Sequence, residues 1–239
     1  MPPPEPSARR VAFFGGSFDP PHCGHLAVAR AAREALGLDT VLFAPVGAQP
    51  LKRNSSPGAS FEQRLAMTQL AIAGERGFAV STADAPQPSG APNYTVETLE
   101  RLRRELPAGS ELLCLMGADS FATLRAWWRA SELPFAATLV VASRPGEPLD
   151  RLAALLPDGV TMDAEPQQTG SGAVELRCST LRNTAGATAP FYLLPGLHVE
   201  ISASEIRAQL RAARDARAQA QESLPAAVAG YIRAHNLYQ

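Results

Sequence analysis

A short apolar run, Val11 to Phe14, leads directly into a pair of glycines and then into an alanine-rich helical pattern that ends at Leu36. Gly15 and Gly16 lack a Cβ atom, so the backbone can turn sharply there and approach a bound molecule closely. The helix that follows points unpaired N–H groups, and the positive end of its dipole, back at this loop. This order of strand, glycine loop and helix predicts a phosphate-binding turn.

The alternation of strand and helix patterns extends beyond this turn. A second strand pattern at 40–44 completes a strand–helix–strand unit, which implies parallel pairing and a right-handed crossover. Further strands are predicted at 78–81, 111–116 and 138–142, and further helices at 61–73, 94–106 and 121–133. The pattern predicts an α/β, Rossmann-like fold: a doubly wound parallel sheet with helices on both faces.

The last third of the chain has a weaker pattern. We predict a helix at 149–156, strands at 174–176 and 191–194, and a loop at 180–189, where bulky apolar side chains are scarce. Stronger helical patterns at 204–218 and 225–235 predict a C-terminal helical segment.

Two histidines, His22 and His25, stand at the start of the first predicted helix. Their spacing of three residues places them on one face of its first turn. Imidazole N–H groups at such a helix end can donate hydrogen bonds to phosphate oxygens as charge builds up in a transition state. A buried histidine pair that supports the turn is the alternative interpretation.

A second anion site is predicted near the C-terminus. Ser202 and Glu205 have the spacing of a capping box, so a helix should begin with Ser202 as its N-cap. Ser204 then lies in the first turn, and Arg207 lies on the same face three residues later. The alternative is an ordinary capped helix with a solvated arginine.

Composition narrows the class of protein. The formal net charge of the 239 residues is −1, which gives no reason to expect nucleic acid as a partner. Three cysteines at unrelated spacings suggest neither a structural zinc site nor a disulfide framework, so a reducing cytoplasm fits. No apolar run approaches the length of a membrane span, and residues 1–6 lack the apolar core of a signal peptide. We therefore expect a cytoplasmic protein without a membrane partner.

The string Gly-Gly-Ser-Phe-Asp-Pro-Pro-His-Cys-Gly-His at 15–25 closely resembles the first signature of the His-x-Gly-His nucleotidyltransferases. Its form is similar to that of the bacterial nicotinate-nucleotide adenylyltransferases. The Ser-x-Ser-x-x-Arg string at 202–207 resembles the second signature of the same class, and the two together are more specific than either. The resemblance implies a single nucleotidyltransferase domain at 9–239 after a disordered tail at 1–8.

The activity implied by this resemblance is transfer of the adenylyl group of ATP to nicotinate mononucleotide. The products would be nicotinate adenine dinucleotide and pyrophosphate, in NAD biosynthesis. The attacking phosphate oxygen is already ionised, so catalysis would consist mainly of positioning and charge stabilisation. Mg²⁺ would be carried in with ATP, held by phosphate oxygens and water, and no metal ligand is assigned to the chain.

The resemblance also implies three groups of site residues. The catalytic group comprises His22, His25, Lys52 and Arg207. The ATP- and phosphate-binding group comprises Gly15, Gly16, Ser17, Phe18, Gly24, Gly117, Asp119, Ser202 and Ser204. The nicotinate mononucleotide-binding group comprises Tyr94, Thr95, Trp127 and Arg144. Core packing is the alternative for Trp127, and Trp128 beside it leaves that assignment open.

This chain departs from the family pattern in two places. Many relatives carry Pro-Pro-His followed by a cation in the second loop, whereas this chain has Gln-Pro-Leu-Lys at 49–52. Leu51 therefore replaces the loop histidine, while Lys52 keeps the charge that attracts phosphate. The segment 170–197 is longer than in compact relatives and has no assigned function.

Two other functions remain open at this point. The chain could be another nucleotidyltransferase of the same class, with phosphopantetheine or nicotinamide mononucleotide as acceptor. It could instead be a non-catalytic nucleotide-binding module, although loss of catalysis would be expected to show as a broken His-x-Gly-His string or a missing Arg207. Whether the chain forms a homo-oligomer is also open.

Overall fold

The computed structural model describes residues 7–48, 58–143, 149–163, 167–168, 175–196, 202–212 and 219–238. Within them, the strands are β1 (Arg10–Gly16), β2 (Thr40–Pro45), β3 (Phe78–Val80), β4 (Glu111–Gly117), β5 (Thr138–Ala142), β6 (Val160–Met162), β7 (Gln167–Gln168), β8 (Arg177–Asn183) and β9 (Thr188–Leu194). The helices are α1 (Cys23–Leu36), α2 (Phe61–Ile72), α3 (Thr95–Glu105), α4 (Ala118–Phe121), α5 (Leu133–Ala136), α6 (Leu149–Ala153), α7 (Ala203–Arg211) and α8 (Ala226–Ala234), with a 3₁₀ turn at Leu124–Ala126.

All nine strands belong to one sheet, whose main order is β3-β2-β1-β4-β5-β9-β8-β6. Pairing is parallel from β3 through β9, so the predicted α/β fold class is confirmed. β8 runs antiparallel to β9, and β6 and β7 run antiparallel to β8. This antiparallel extension was not predicted from the sequence.

Side chains of alternating residues in the parallel strands pack into two cores on opposite faces of the sheet. In β1, Ala12 and Phe14 join the core that packs against α1, α2, α7 and α8. Phe13 joins the other core, which packs against α3, α5 and α6. The prediction of helices on both faces is therefore confirmed, and burial of both faces explains why these strands read as continuous apolar runs.

Local end signals set several helix boundaries. α1 ends at Leu36, and the next residue, Gly37, adopts φ 59° and donates its N–H to the carbonyl of Arg33, as a left-handed C-terminal residue should. α2 begins after Ser60, whose hydroxyl accepts a hydrogen bond from the backbone N–H of Gln63 at 3.2 Å. α8 follows Pro225, close to the predicted start.

The predicted helix at 121–133 is wrong. α4 ends at Phe121, and the next regular helix begins only at Leu133. Between them Arg129 adopts φ 51°, which an α-helix cannot contain. Its guanidinium contacts the carboxylate of Glu100, which is distant in sequence, and that of Glu132, three residues later.

The predicted loop at 180–189 is correct only for the turn at 184–187, because residues 180–183 belong to β8 and 188–189 to β9, which form a β-hairpin. The side chain of Asn183 accepts hydrogen bonds from the backbone N–H groups of Ala185 and Ala187, and Gly186 adopts φ 84°. This turn chemistry was visible in the sequence. Of the predicted strands, 191–194 is confirmed within β9, whereas Leu176 lies outside β8 and residue 174 is outside the described residues.

The helix predicted at 204–218 is shorter than expected on the described residues. α7 ends at Arg211, because Ala212 has the extended dihedrals φ −82° and ψ −170°. Residues 213–218 lie outside the description, as do residues 1–6 of the predicted tail. In the part of the chain that is described, every helix is too short or too polar to cross a bilayer.

Candidate active site

A cavity of about 750 Å³ opens at the carboxyl ends of β1, β4 and β5. Ligands of doubly wound sheets bind at this edge, beside the point where the strand order reverses. Four short segments contribute to its lining, at 15–18, 93–95, 117–120 and 202–204. The N-terminal turns of α1, α3 and α7 therefore face one shared space.

The predicted site residues within the described chain all line this cavity. They are Gly15, Gly16, Ser17, Phe18, His22, Gly24, His25, Tyr94, Thr95, Gly117, Asp119, Trp127, Ser202, Ser204 and Arg207. Lys52 and Arg144 lie outside the described residues, as does Leu51. Tertiary structure thus brings the two sequence motifs together, while the role of each residue stays a prediction.

The two histidines form a stacked pair at the start of α1. His22 is the N-cap residue, and its backbone N–H donates to Nδ1 of His25 at 3.1 Å. The ring centroids are 3.7 Å apart. Because Nδ1 of His25 accepts this hydrogen bond, the proton of the neutral ring lies on Nε2, and that nitrogen is a donor for a ligand.

Burial keeps both imidazoles uncharged in the free protein. It lowers the pKa of His22 from 6.5 to about 4. The pKa of His25 is also lowered, first by burial and then by the neighbouring His22. The pair therefore offers neutral N–H donors at pH 7. An anion bound at this helix end would have the opposite effect, since nearby negative charge favours the imidazolium.

We predict that this depressed pKa makes folding stability depend on pH. Between pH 4 and 6.5 the unfolded chain binds a proton at His22 that the folded chain does not, so stability falls as pH is lowered through this window. His22 alone should account for about 2 kcal/mol at pH 5 relative to neutral pH. Urea unfolding at pH 7.5 and at pH 5 should therefore show a smaller loss for His22→Asn than for the wild type. An equal loss in both would contradict the assigned burial, and exposed His235→Asn is the matched control.

The second motif forms the capped helix that its spacing predicts. The Ser202 hydroxyl accepts from the Glu205 backbone N–H at 3.2 Å, and the Ser202 N–H donates to the Glu205 carboxylate at 2.7 Å. Nη2 of Arg207 donates to the Ser204 hydroxyl at 3.2 Å. Nη1 of the same guanidinium donates to the backbone carbonyl of Asp19 at 2.7 Å, which ties the second motif to the first.

Another part of the cavity is built around the N-terminus of α3. Asn93 fixes the preceding loop, since its side chain accepts from the Ala48 N–H at 3.1 Å and donates to the Ala85 carbonyl at 3.0 Å. Tyr94 is the N-cap residue and Thr95 the first helical residue. The first N–H groups of a helix have no partner within it, so this turn can bind a carboxylate.

Both tryptophans line the cavity, in different environments. Trp127 is partly buried against the core, and its Nε1 donates to the Thr123 hydroxyl at 3.0 Å. Trp128 is 56% exposed and lies against the Tyr94 ring, with centroids 5.6 Å apart. Either aromatic face can stack on a planar ring.

Sequence reasoning missed two charged residues beneath the cavity, Asp19 and Arg64. Arg64 is 2% exposed and donates to the carbonyls of Ser17 at 2.7 Å and Val46 at 2.9 Å. It thereby joins the loop after β1 to the end of β2. The available signal was its position on the apolar stripe of α2, three residues before the buried Met67.

Comparison with known proteins gives consistent matches over nearly the whole chain. A sequence profile described as cytidylyltransferase-like matches residues 13–209. A Gloeobacter violaceus protein named "Probable nicotinate-nucleotide adenylyltransferase" is 37% identical over 229 residues, covering 96% of each chain. An Aeromonas salmonicida protein of the same name is 40% identical over 232 residues, covering 96% of this chain and 97% of its own. A third, from Thermus thermophilus, is 36% identical over 232 residues, covering 96% of this chain and all of its own.

A solved structure shares the fold. It is described as Plasmodium falciparum nicotinic acid mononucleotide adenylyltransferase complexed with NaAD. Its TM-score is 0.69 at 15% identity, with 96% of this chain and 97% of that chain covered. A likeness at this identity concerns the fold alone.

Proposed function

Since this chain belongs to the cytidylyltransferase-like family and, within it, to the nicotinate-nucleotide adenylyltransferases, we propose that it transfers the adenylyl group of ATP to nicotinate mononucleotide. The products are nicotinate adenine dinucleotide and pyrophosphate. The observation that carries the proposal is the shared cavity, which joins the N-terminal turns of α1 and α7 with that of α3. Two of these turns suit phosphate and the third suits a carboxylate.

The reaction needs positioned charge rather than a protein base. A phosphate oxygen of the mononucleotide attacks the α-phosphorus of ATP, a new P–O bond forms, and the bond to the bridging oxygen of pyrophosphate breaks. We propose that three groups stabilise the charge that develops on the transferring and leaving groups: the Nε2–H of His25, the imidazole of His22 and the guanidinium of Arg207. Lys52 is proposed to add a further cation.

The acceptor is proposed to bind at the α3 end of the cavity. Its carboxylate would meet the backbone N–H groups of Tyr94 and Thr95, and its pyridine ring would stack on Trp127. Arg144 is proposed, from the family motif alone, to bind the same nucleotide. The nucleotide would be held by the glycines and Ser17 of the first motif, by Gly117 and Asp119 after β4, and by Ser202 and Ser204. These assignments rest on the family motifs and on the common cavity of the described members.

The proposal includes Mg²⁺ that enters with ATP. Among the described residues, no group of three or more His, Cys, Asp or Glu side chains could hold a metal ion. Mg²⁺ keeps several waters and binds readily through nucleotide phosphates. A cavity without a cluster of protein ligands among the described residues therefore fits an ion that is carried by the substrate. The ion would neutralise phosphate charge.

All three cysteines are free thiols, which supports a cytoplasmic location.

Pyrophosphate release tests the proposal directly. ATP and Mg²⁺ are supplied with nicotinate mononucleotide, nicotinamide mononucleotide or phosphopantetheine in parallel. We expect release with nicotinate mononucleotide to exceed both others by at least about tenfold in kcat/KM, because a charged carboxylate gains more than a neutral amide at a helix N-terminus. Release with only another acceptor would keep the chemistry and reject the substrate. ATP binding without release would favour a non-catalytic binding module.

A further inference from the structure

Asp19, within the first motif, makes more polar contacts than a turn residue needs. Its side chain is buried, with 4% of the residue exposed. One carboxylate oxygen, Oδ2, accepts the backbone N–H of Gly58 at 2.7 Å. The other, Oδ1, accepts the N–H of Ala59 at 3.1 Å and the hydroxyl of Tyr238 at 2.7 Å. Three donors from two distant parts of the chain therefore converge on one carboxylate.

The same residue also contacts the second motif. Its backbone carbonyl accepts Nη1 of Arg207 at 2.7 Å, and its Oδ2 lies 3.8 Å from that nitrogen. Gly58 is the first described residue after the segment that carries Lys52. Asp19 thus joins the signature loop to the entry of α2, to the Arg207 guanidinium and to the segment after α8.

Packing and a backbone turn hold Tyr238 beside Asp19. It is buried, and it follows a turn in which the Leu237 N–H donates to the carbonyl of Ile232 in α8 at 3.0 Å. A Cβ atom on Gly58 would lie 2.7 Å from its ring, so the close approach requires glycine there. Burial, and then the hydrogen bond to Asp19, raise the pKa of Tyr238, so its hydroxyl remains a donor at neutral pH.

We propose that Asp19 and Tyr238 are positioning residues for adenylyl transfer, with the Tyr238 hydroxyl holding the Asp19 carboxylate in the orientation that leaves Arg207 directed at phosphate. This inference rests on the proposed function. A carboxylate that loses its tyrosine donor has a nearby substitute, because Nη1 of Arg207 lies 3.8 Å from Oδ2 and a cationic donor is attracted to a carboxylate more strongly than a neutral hydroxyl is. A guanidinium drawn to Asp19 would be withdrawn from the triphosphate.

The test compares two tyrosines of the C-terminal segment. Tyr238→Phe removes only the hydroxyl that reaches Asp19. Tyr231→Phe is the matched control, because the Tyr231 ring stacks on His235 and its hydroxyl has no hydrogen bond among the described residues. We expect kcat to fall about tenfold in Tyr238→Phe, while the KM for nicotinate mononucleotide stays within about twofold of the wild-type value. The reason is that a misplaced Arg207 guanidinium stabilises the phosphate charge of the transition state less well. Tyr231→Phe should match the wild type in both.

A purely structural role predicts a different result. In that case Tyr238→Phe would lower Tm but leave kcat equal to that of the control, and this outcome would overturn the proposal. Asp19→Asn is the second variant, in case Tyr238→Phe does not fold. It keeps the volume, removes the charge that balances Arg207 and turns an amide group toward backbone donors, so kcat should fall about 10²-fold. An unchanged kcat in Asp19→Asn would also overturn the proposal.

ATP affinity, measured by calorimetry, separates this inference from the proposed function. If the wild type shows no turnover with nicotinate mononucleotide, the proposed function fails. The positioning of Arg207 is then judged from binding alone. Weaker ATP binding by Tyr238→Phe than by Tyr231→Phe supports the contact, and equal affinity rejects it.

Discussion

We expect His25→Ala to lower kcat for adenylyl transfer by ~10²- to 10³-fold, which is the usual cost of removing one preorganised donor from a transition-state charge. The ring lines the cavity and carries its proton on Nε2, because Nδ1 accepts the His22 backbone N–H. Pyrophosphate release under saturating substrates measures kcat, and a thermal melt shows that the variant is folded.

Truncation to alanine also removes structural contacts, so a second variant isolates the donor. The His25 ring packs against Phe18, with centroids 4.9 Å apart. His25→Asn places an amide oxygen near the position of Nδ1, which keeps an acceptor for the helix cap and removes the Nε2 donor. Its kcat should fall as far as that of His25→Ala, with a smaller loss of Tm. Near-normal turnover in either variant would reject a catalytic role, and His235→Ala, outside the cavity lining, should have no effect.

The largest expected effect on stability is that of Arg64→Met. The guanidinium donates to the Ser17 and Val46 carbonyls in a buried position, and methionine fills comparable space without a donor. Two buried acceptors would lose their partners, and we expect the free energy of unfolding to fall by about 3 kcal/mol. Since Ser17 belongs to the phosphate loop, kcat should fall as well.

Urea unfolding at neutral pH measures this loss. Arg104→Met is the matched control, because Arg104 is exposed near the end of α3 and its loss should change stability by less than about 0.5 kcal/mol. Wild-type stability in Arg64→Met would mean that the desolvation cost of the buried cation equals the value of its two hydrogen bonds. The two hydrogen bonds by which Arg64 links the loop after β1 to the end of β2 would then have no net stabilising effect.

Local rules were sufficient for the parallel half of the fold. The apolar runs of β1, β2, β4 and β5 are buried on both faces, and such strands have a distinct sequence pattern. Helix ends near Gly37, Ser60 and Ser202 follow from short-range capping, which involves residues at most a turn apart. The two phosphate-binding turns could be predicted because their chemistry lies within a few consecutive residues.

Long-range contacts decided the remainder. Arg129 breaks the predicted helix with a φ of 51°, and in this conformation it pairs with Glu100, which is distant in sequence. Arg64 reads as an ordinary helical arginine until packing buries it under the phosphate loop. The contact between Asp19 and Tyr238 spans 219 positions, and no periodicity or spacing encodes it. The low pKa of His22 likewise comes from burial, a property of the packed structure. Residue types and their spacing specify which groups can bind phosphate. Their orientation, charge and support depend on neighbours that folding brings together, so these properties follow from the packed structure.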